Sequence, residues 1–152
     1  MASGISGQKI RINHFGLSVA RAAGNLAQTG NLTLFNIVGG RIILTNFVGA
    51  VTTVIQAQAD AIKFTSVSSV GSIATDLCAT VDVNAAAVGN LLGITGTPAN
   101  AAVLGSAVPV PSPRLVLPVG LIRMNAAASN TGQMSFVLTY IPLDDGATVT
   151  AA

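Results

Sequence analysis

Large apolar side chains recur at every second residue through Gln133-Met134-Ser135-Phe136-Val137-Leu138-Thr139-Tyr140-Ile141. That spacing puts Met134, Phe136, Leu138 and Tyr140 on one face of a pleated strand, whereas a helix would scatter them around its circumference. The run stops at Pro142, which has no N–H to contribute to a ladder, and Leu143-Asp144-Asp145-Gly146 follows as a turn. A chain made of such segments must bury one face of each, so its strands are driven into packed sheets.

The rest of the chain repeats the pattern in shorter form. Residues 31–38 and 41–48 are rich in β-branched and aromatic side chains, and Gly39-Gly40 between them has the spacing of a tight hairpin. Further strand signals cover residues 51–59, 63–67, 74–83, 87–94 and 101–108, punctuated by Ser, Gly, Asn and Pro. Short strands about 8–12 residues apart, without a long amphipathic helix, predict an all-β chain folded as an antiparallel sandwich or barrel. A short helix or irregular segment fits best at residues 18–26 and less well at alanines 126–128.

The 152 residues suit one domain, with residues 1–9 as an extended N-terminal arm and 10–152 as the sandwich. In Ile10-Arg11-Ile12-Asn13-His14-Phe15, alternation places His14 on the face of Ile10 and Ile12, as a core or interface histidine. Val108-Pro109-Val110-Pro111-Ser112-Pro113-Arg114 cannot be a central strand, because proline at alternate positions deletes ladder donors. It reads first as a rigid connection between the sheets and second as an arm laid over a neighbouring subunit. The candidate interface residues are therefore Ile5, Lys9, Arg11, Pro109, Pro111, Pro113 and Arg114.

Composition narrows the function. The chain is 51% hydrophobic and 8% charged, with no glutamate, against roughly a quarter charged in an ordinary soluble domain. Surface so poorly charged favours association, and an assembly subunit is the reading that follows. Seven Lys and Arg against five Asp leave a net charge of +2, but the cations are scattered along the sequence, so no nucleic-acid partner is expected. The most apolar window, residues 37–55, contains Arg41 and Asn46, and with no Trp and one Tyr an aromatic-girdled barrel is disfavoured too; no membrane partner is expected.

A single histidine and the missing glutamates leave little for acid–base catalysis, so the chain is not read as an enzyme. A Cys78–His14 dyad is the one nucleophilic pair on offer, and a small buried hydrophobe is the preferred reading of Cys78. Metals and cofactors are not expected either: Cys/His clusters and phosphate-binding glycine loops are missing, and Asp144-Asp145-Gly146 supplies too few carboxylates for calcium. The lone cysteine and the small, polar N-terminal residues fit synthesis in a reducing cytoplasm.

Three segments carry a resemblance. Val51-Thr52-Thr53-Val54-Ile55-Gln56-Ala57-Gln58-Ala59-Asp60 is the first, and Ala74-Thr75-Asp76-Leu77-Cys78-Ala79 leading to Leu92-Gly93-Ile94-Thr95-Gly96 is the second. The third runs from Ala128-Ser129-Asn130-Thr131-Gly132-Gln133 through Tyr140-Ile141-Pro142-Leu143-Asp144-Asp145-Gly146-Ala147. In texture they resemble small virion structural proteins of tailed bacteriophages, of the capsid decoration or cement type. The resemblance implies a jelly-roll-like sandwich, or alternatively a β-tulip-like fold. It further implies a homo-oligomer, trimer before dimer, bound to the phage major capsid protein on the outer surface of the virion. The alternative function is a carbohydrate- or receptor-binding jelly-roll module of a phage fibre or tail, a reading handicapped by the scarcity of aromatic side chains.

Overall fold

A computed structural model describes Gly4 and residues 6–152. Ile5 and the first residues of the expected arm lie outside the described residues. The chain forms α1 (Gly7–Phe15), then β1 (Leu17–Asn25), β2 (Gln28–Val38), β3 (Ile42–Thr53), β4 (Ala61–Ser68), β5 (Ala74–Asp76) and β6 (Val81–Asp82). It continues with β7 (Leu91–Gly93), β8 (Val103–Gly105), β9 (Leu115–Leu117), β10 (Gly120–Ser129), β11 (Gln133–Pro142) and β12 (Thr148–Ala151).

The strands make two six-stranded sheets. The first runs β1-β11-β3-β7-β8, with β9 also paired to β3; the second runs β12-β2-β10-β4-β5, with β6 also paired to β4. Every named strand pairing is antiparallel. β1 pairs with β11, β2 with β10, β3 with β7 and β9, and β4 with β5 and β6, so an outer pair encloses an inner one as the chain winds. That nesting, with β1 to β4 alternating between sheets, is jelly-roll-like winding. The all-β sandwich expected from periodicity is the observed fold.

Alternation is kept where it was strongest. On β11, Met134, Phe136, Leu138 and Tyr140 are all buried, and the Tyr140 hydroxyl, which cannot be left dry, accepts from the Val149 N–H at 3.3 Å. Phe47 of β3 is the hub of the core: its ring centroid lies 4.7 Å from Phe64, 5.8 Å from Phe136 and 6.3 Å from Phe35. Gly49 makes room beside it, since a Cβ there would meet the Phe136 ring at 2.8 Å.

Several expectations are corrected. Residues 31–38 and 41–48 do not form a hairpin, because β2 joins the second sheet and β3 the first. Both have an apolar face, and crossing between sheets turns those faces toward each other instead of laying both strands side by side. Residues 18–26 are strand β1 for all but the last position, since pairing with β11 overrides the helical preference of Ala20, Arg21, Ala22 and Ala23. Alanines 126–128 belong to strand β10.

The strand expected at 51–59 stops at Thr53 as the end of β3. Residues 74–83 break into β5 and β6, with Leu77 and Cys78 buried at the bend between them. Within 87–94 only Leu91–Gly93 forms a strand, β7, and within 101–108 only Val103–Gly105, β8.

The arm boundary at residue 9 also moves. Residues 10–15 are helical, not alternating strand: Ser6 caps the helix by accepting from the Lys9 N–H at 3.3 Å, and Gly16 ends it with φ +87°. Seen afterwards, Ser6 and Gly16 are the start and stop signals that frame α1.

Candidate interaction surface

α1 lies across the outward face of the first sheet. Residues 7–14 are exposed and Phe15 is half-buried, so this helix is held at its C-terminal end more than by its sides. The Thr45 hydroxyl donates to the Phe15 carbonyl, and Arg114 Nη2 donates to the His14 carbonyl at 3.2 Å. Carbonyls in the last turn lack helical partners, so a guanidinium there satisfies one and opposes the negative end of the helix dipole. Arg114, distant in sequence, is thereby joined to the helix that carries Lys9 and Arg11.

Between α1 and the sheet runs a groove of about 620 Å³, lined by Arg11, Ile12 and Phe15 on one side and by Leu17, Asn46 and Val137 on the other. Ile10 is 57% exposed and Ile12 44%, and Leu17 and Val137 are exposed as well. His14, expected among core or interface residues on the face of Ile10 and Ile12, is exposed on α1, its ring edge-on to Phe15 at 4.9 Å.

The proline segment is placed differently from either expectation. It links β8 to β9, which belong to the same sheet, and it is folded on its own chain. Ser112 N–H donates to the Thr95 carbonyl at 2.8 Å, and Val108 fills the space above Gly93, where a Cβ would lie 2.8 Å from that of Val108. Pro111 is buried and so withdraws from the interface set, whereas Pro109, Pro113 and Arg114 remain exposed. The structure therefore gathers Lys9, Arg11 and Arg114 around α1 and leaves Pro109 on the segment that leads to Arg114.

The titratable groups are dispersed. Cys78 is fully buried, with Sγ accepting from the Phe64 N–H at 3.4 Å, while His14 is exposed on α1; the structure does not bring the two together. Burial pushes the Cys78 thiol up from its ordinary value, partly offset by the Phe64 N–H. Among the described residues, no three His, Cys, Asp or Glu side chains converge in a way that would hold a metal ion. Phe35, Phe47, Phe64, Phe136 and Tyr140 are core residues, so these rings offer no flat platform to a sugar. No helix among the described residues is long and apolar enough to cross a membrane.

A second opening lies between the sheets beside β5 and β9, about 250 Å³ in volume and walled by Ile73, Leu115 and Pro118 over Ser66. The Ser66 hydroxyl is buried without a hydrogen-bond partner. In comparisons with known proteins, no family model matches the chain, and no curated sequence or solved structure matches it.

Proposed function

We propose that this chain is a virion structural subunit of the capsid decoration type. It self-associates, trimer before dimer, and sits on the outer surface of a phage head, stabilising the shell by non-covalent contacts with the major capsid protein across capsomers. One observation carries the reading: α1 is a short helix with Ile10 in solvent and Ile12 exposed at an open groove. A helix of this length is marginal without tertiary packing, and α1 buries none of its residues against its own chain. Apart from Lys9, Arg11 and Arg114 the surface around it is apolar or neutral, in a chain that is 8% charged, which suits a face covered in an assembly better than one kept in water.

A decoration subunit works by area. Each contact adds burial at about 25 cal/mol per Å², and repetition over a symmetric shell multiplies a modest gain per copy. No catalytic group is required for that.

The test is the mass of the purified protein by light scattering, followed by cosedimentation with phage heads that lack a decoration protein. A defined trimer or dimer that binds heads at fixed stoichiometry is the expected result. A stable monomer indifferent to heads would overturn the reading.

A further inference from the structure

We infer that the partner seated on α1 and its groove is an acidic, amphipathic segment of another protein, and not a second copy of this chain. The inference deepens the proposed function and rests on it, since it names the chemistry of the shell surface that this face would meet.

Charge is the first argument. Among the described residues the ion pairs are Arg41–Asp144 and Lys63–Asp76, so Lys9, Arg11 and Arg114 have no acidic partner. Lys9 lies in the first turn of α1, which carries no acid, so the positive end of the helix dipole adds to its charge, and Arg11 follows at the middle of the helix. Arg114 closes the other end of the same helix through the His14 carbonyl. Three cations along one nine-residue helix, with Arg11 on its groove side and no acid among them, attract carboxylates and repel further cations.

A second copy has little to answer it with. The chain has five aspartates and no glutamate. Asp60 is 1% exposed, and Asp76 and Asp144 are engaged by Lys63 and Arg41. Of the remaining two, Asp82 already accepts through Oδ1 from the Asp60 and Asn84 N–H groups, which leaves Asp145 in a separate turn. Two isolated carboxylates do not make an acidic face.

The groove supplies the other half of the specificity. Ile12, Phe15, Leu17 and Val137 line it, and apolar side chains contribute nothing to holding a phosphate backbone, whereas they complement the apolar stripe of an acidic helix or strand. Arg11 and the polar Gln8, Ser18 and Asn46 border these apolar side chains, and polar groups around apolar contact are the usual layout of a protein–protein interface.

The experiment uses the full chain and three fluorescent probes in an anisotropy titration: a synthetic amphipathic peptide with Leu on one face and Glu on the other, the same peptide with Lys replacing Glu, and a short DNA duplex. The expected result is binding of the Glu peptide alone, weakened by added salt, reduced about tenfold in Arg11→Glu by like-charge repulsion and reduced also in Ile12→Ser. Circular dichroism and melting of both variants establish that the sandwich is intact. Binding of the duplex instead of the Glu peptide, or loss of the homo-oligomer in Arg11→Glu without any peptide binding, would overturn the inference. Head binding by a protein that ignores the Glu peptide would also overturn it while leaving the proposed function standing. Peptide binding by a monomer indifferent to heads would support this surface and sink the decoration reading.

Discussion

Arg41 and Asp144 meet as a fork. Arg41 Nε donates to Asp144 Oδ2 at 2.8 Å, Nη2 donates to Oδ1 at 2.7 Å, and the Arg41 backbone N–H adds a third bond to Oδ2 at 2.8 Å. The pair pins the crossing from β2 to β3 against the turn between β11 and β12. The two turns press closely there: Gly39 has φ +79° with the Gly146 carbonyl where a Cβ would stand, and a Cβ on Gly40 would lie 2.7 Å from that of Asp144. Gly39-Gly40 thus serves a crossing between sheets and not a hairpin.

This contact has a pH signature. The Arg41 side-chain and backbone donors lower the Asp144 carboxyl from 3.8 to about 2. A folded-state pKa below the unfolded one stabilises the fold fully above the ordinary value, and the contribution drains away as the pH falls toward 2. Asp144→Asn is therefore expected to melt below the parent near neutral pH, with the gap closing in acid. Both side chains are substantially exposed, so the gap is small. Melting curves at about pH 6 and about pH 2 check it; an equal gap at both would show that the charge is not responsible.

Phe47 touches Phe35, Phe64 and Phe136, rings contributed by both sheets. Its replacement by Ala is expected to cost about 3–5 kcal/mol, because the surrounding rings are held by separate strands and collapse only partly into the space. Urea titration of Phe47→Ala measures the loss. A cost below about 1 kcal/mol would mean that the two sheets are not packed through this residue.

The Cys78 thiol is buried, and its raised pKa disfavours the thiolate. Labelling with a thiol-reactive dye is expected to be slow in native protein and fast in denaturant. Rapid labelling of the folded chain would place the thiol at a surface.

Because the α1 residues are exposed or half-buried, removing residues 1–15 should leave the sandwich's melting temperature within about 2 °C of the parent. Occupancy on phage heads is expected to fall sharply. Scanning calorimetry and cosedimentation separate the two effects, and undiminished occupancy would exclude the helix from the contact.

Where a run of alternating residues was long enough to bury a whole face, the sequence was sufficient. Met134, Phe136, Leu138 and Tyr140 specify an inward face by period alone. The candidate interface is legible only in part: Lys9, Arg11 and Arg114 stand out as cations, but nothing local links a helix cation to an arginine beside β9. Pro111 was named with them and is buried, because Val108 and Ser112 fold the segment onto residues 93 and 95.

The sequence by itself determined that the chain is built of antiparallel strands, that β11 is a core strand and that a turn follows it at residues 143–146, since these follow from side-chain period and backbone freedom within a few residues. Tertiary structure alone decided that 31–38 and 41–48 part into different sheets, that an alanine-rich stretch pairs as β1, and that Ile10 and Ile12 ride on an exposed helix over a groove. Those outcomes depend on which distant segment supplies hydrogen bonds and apolar cover. A pairing energy shared between residues far apart in the chain leaves no mark on either segment read alone.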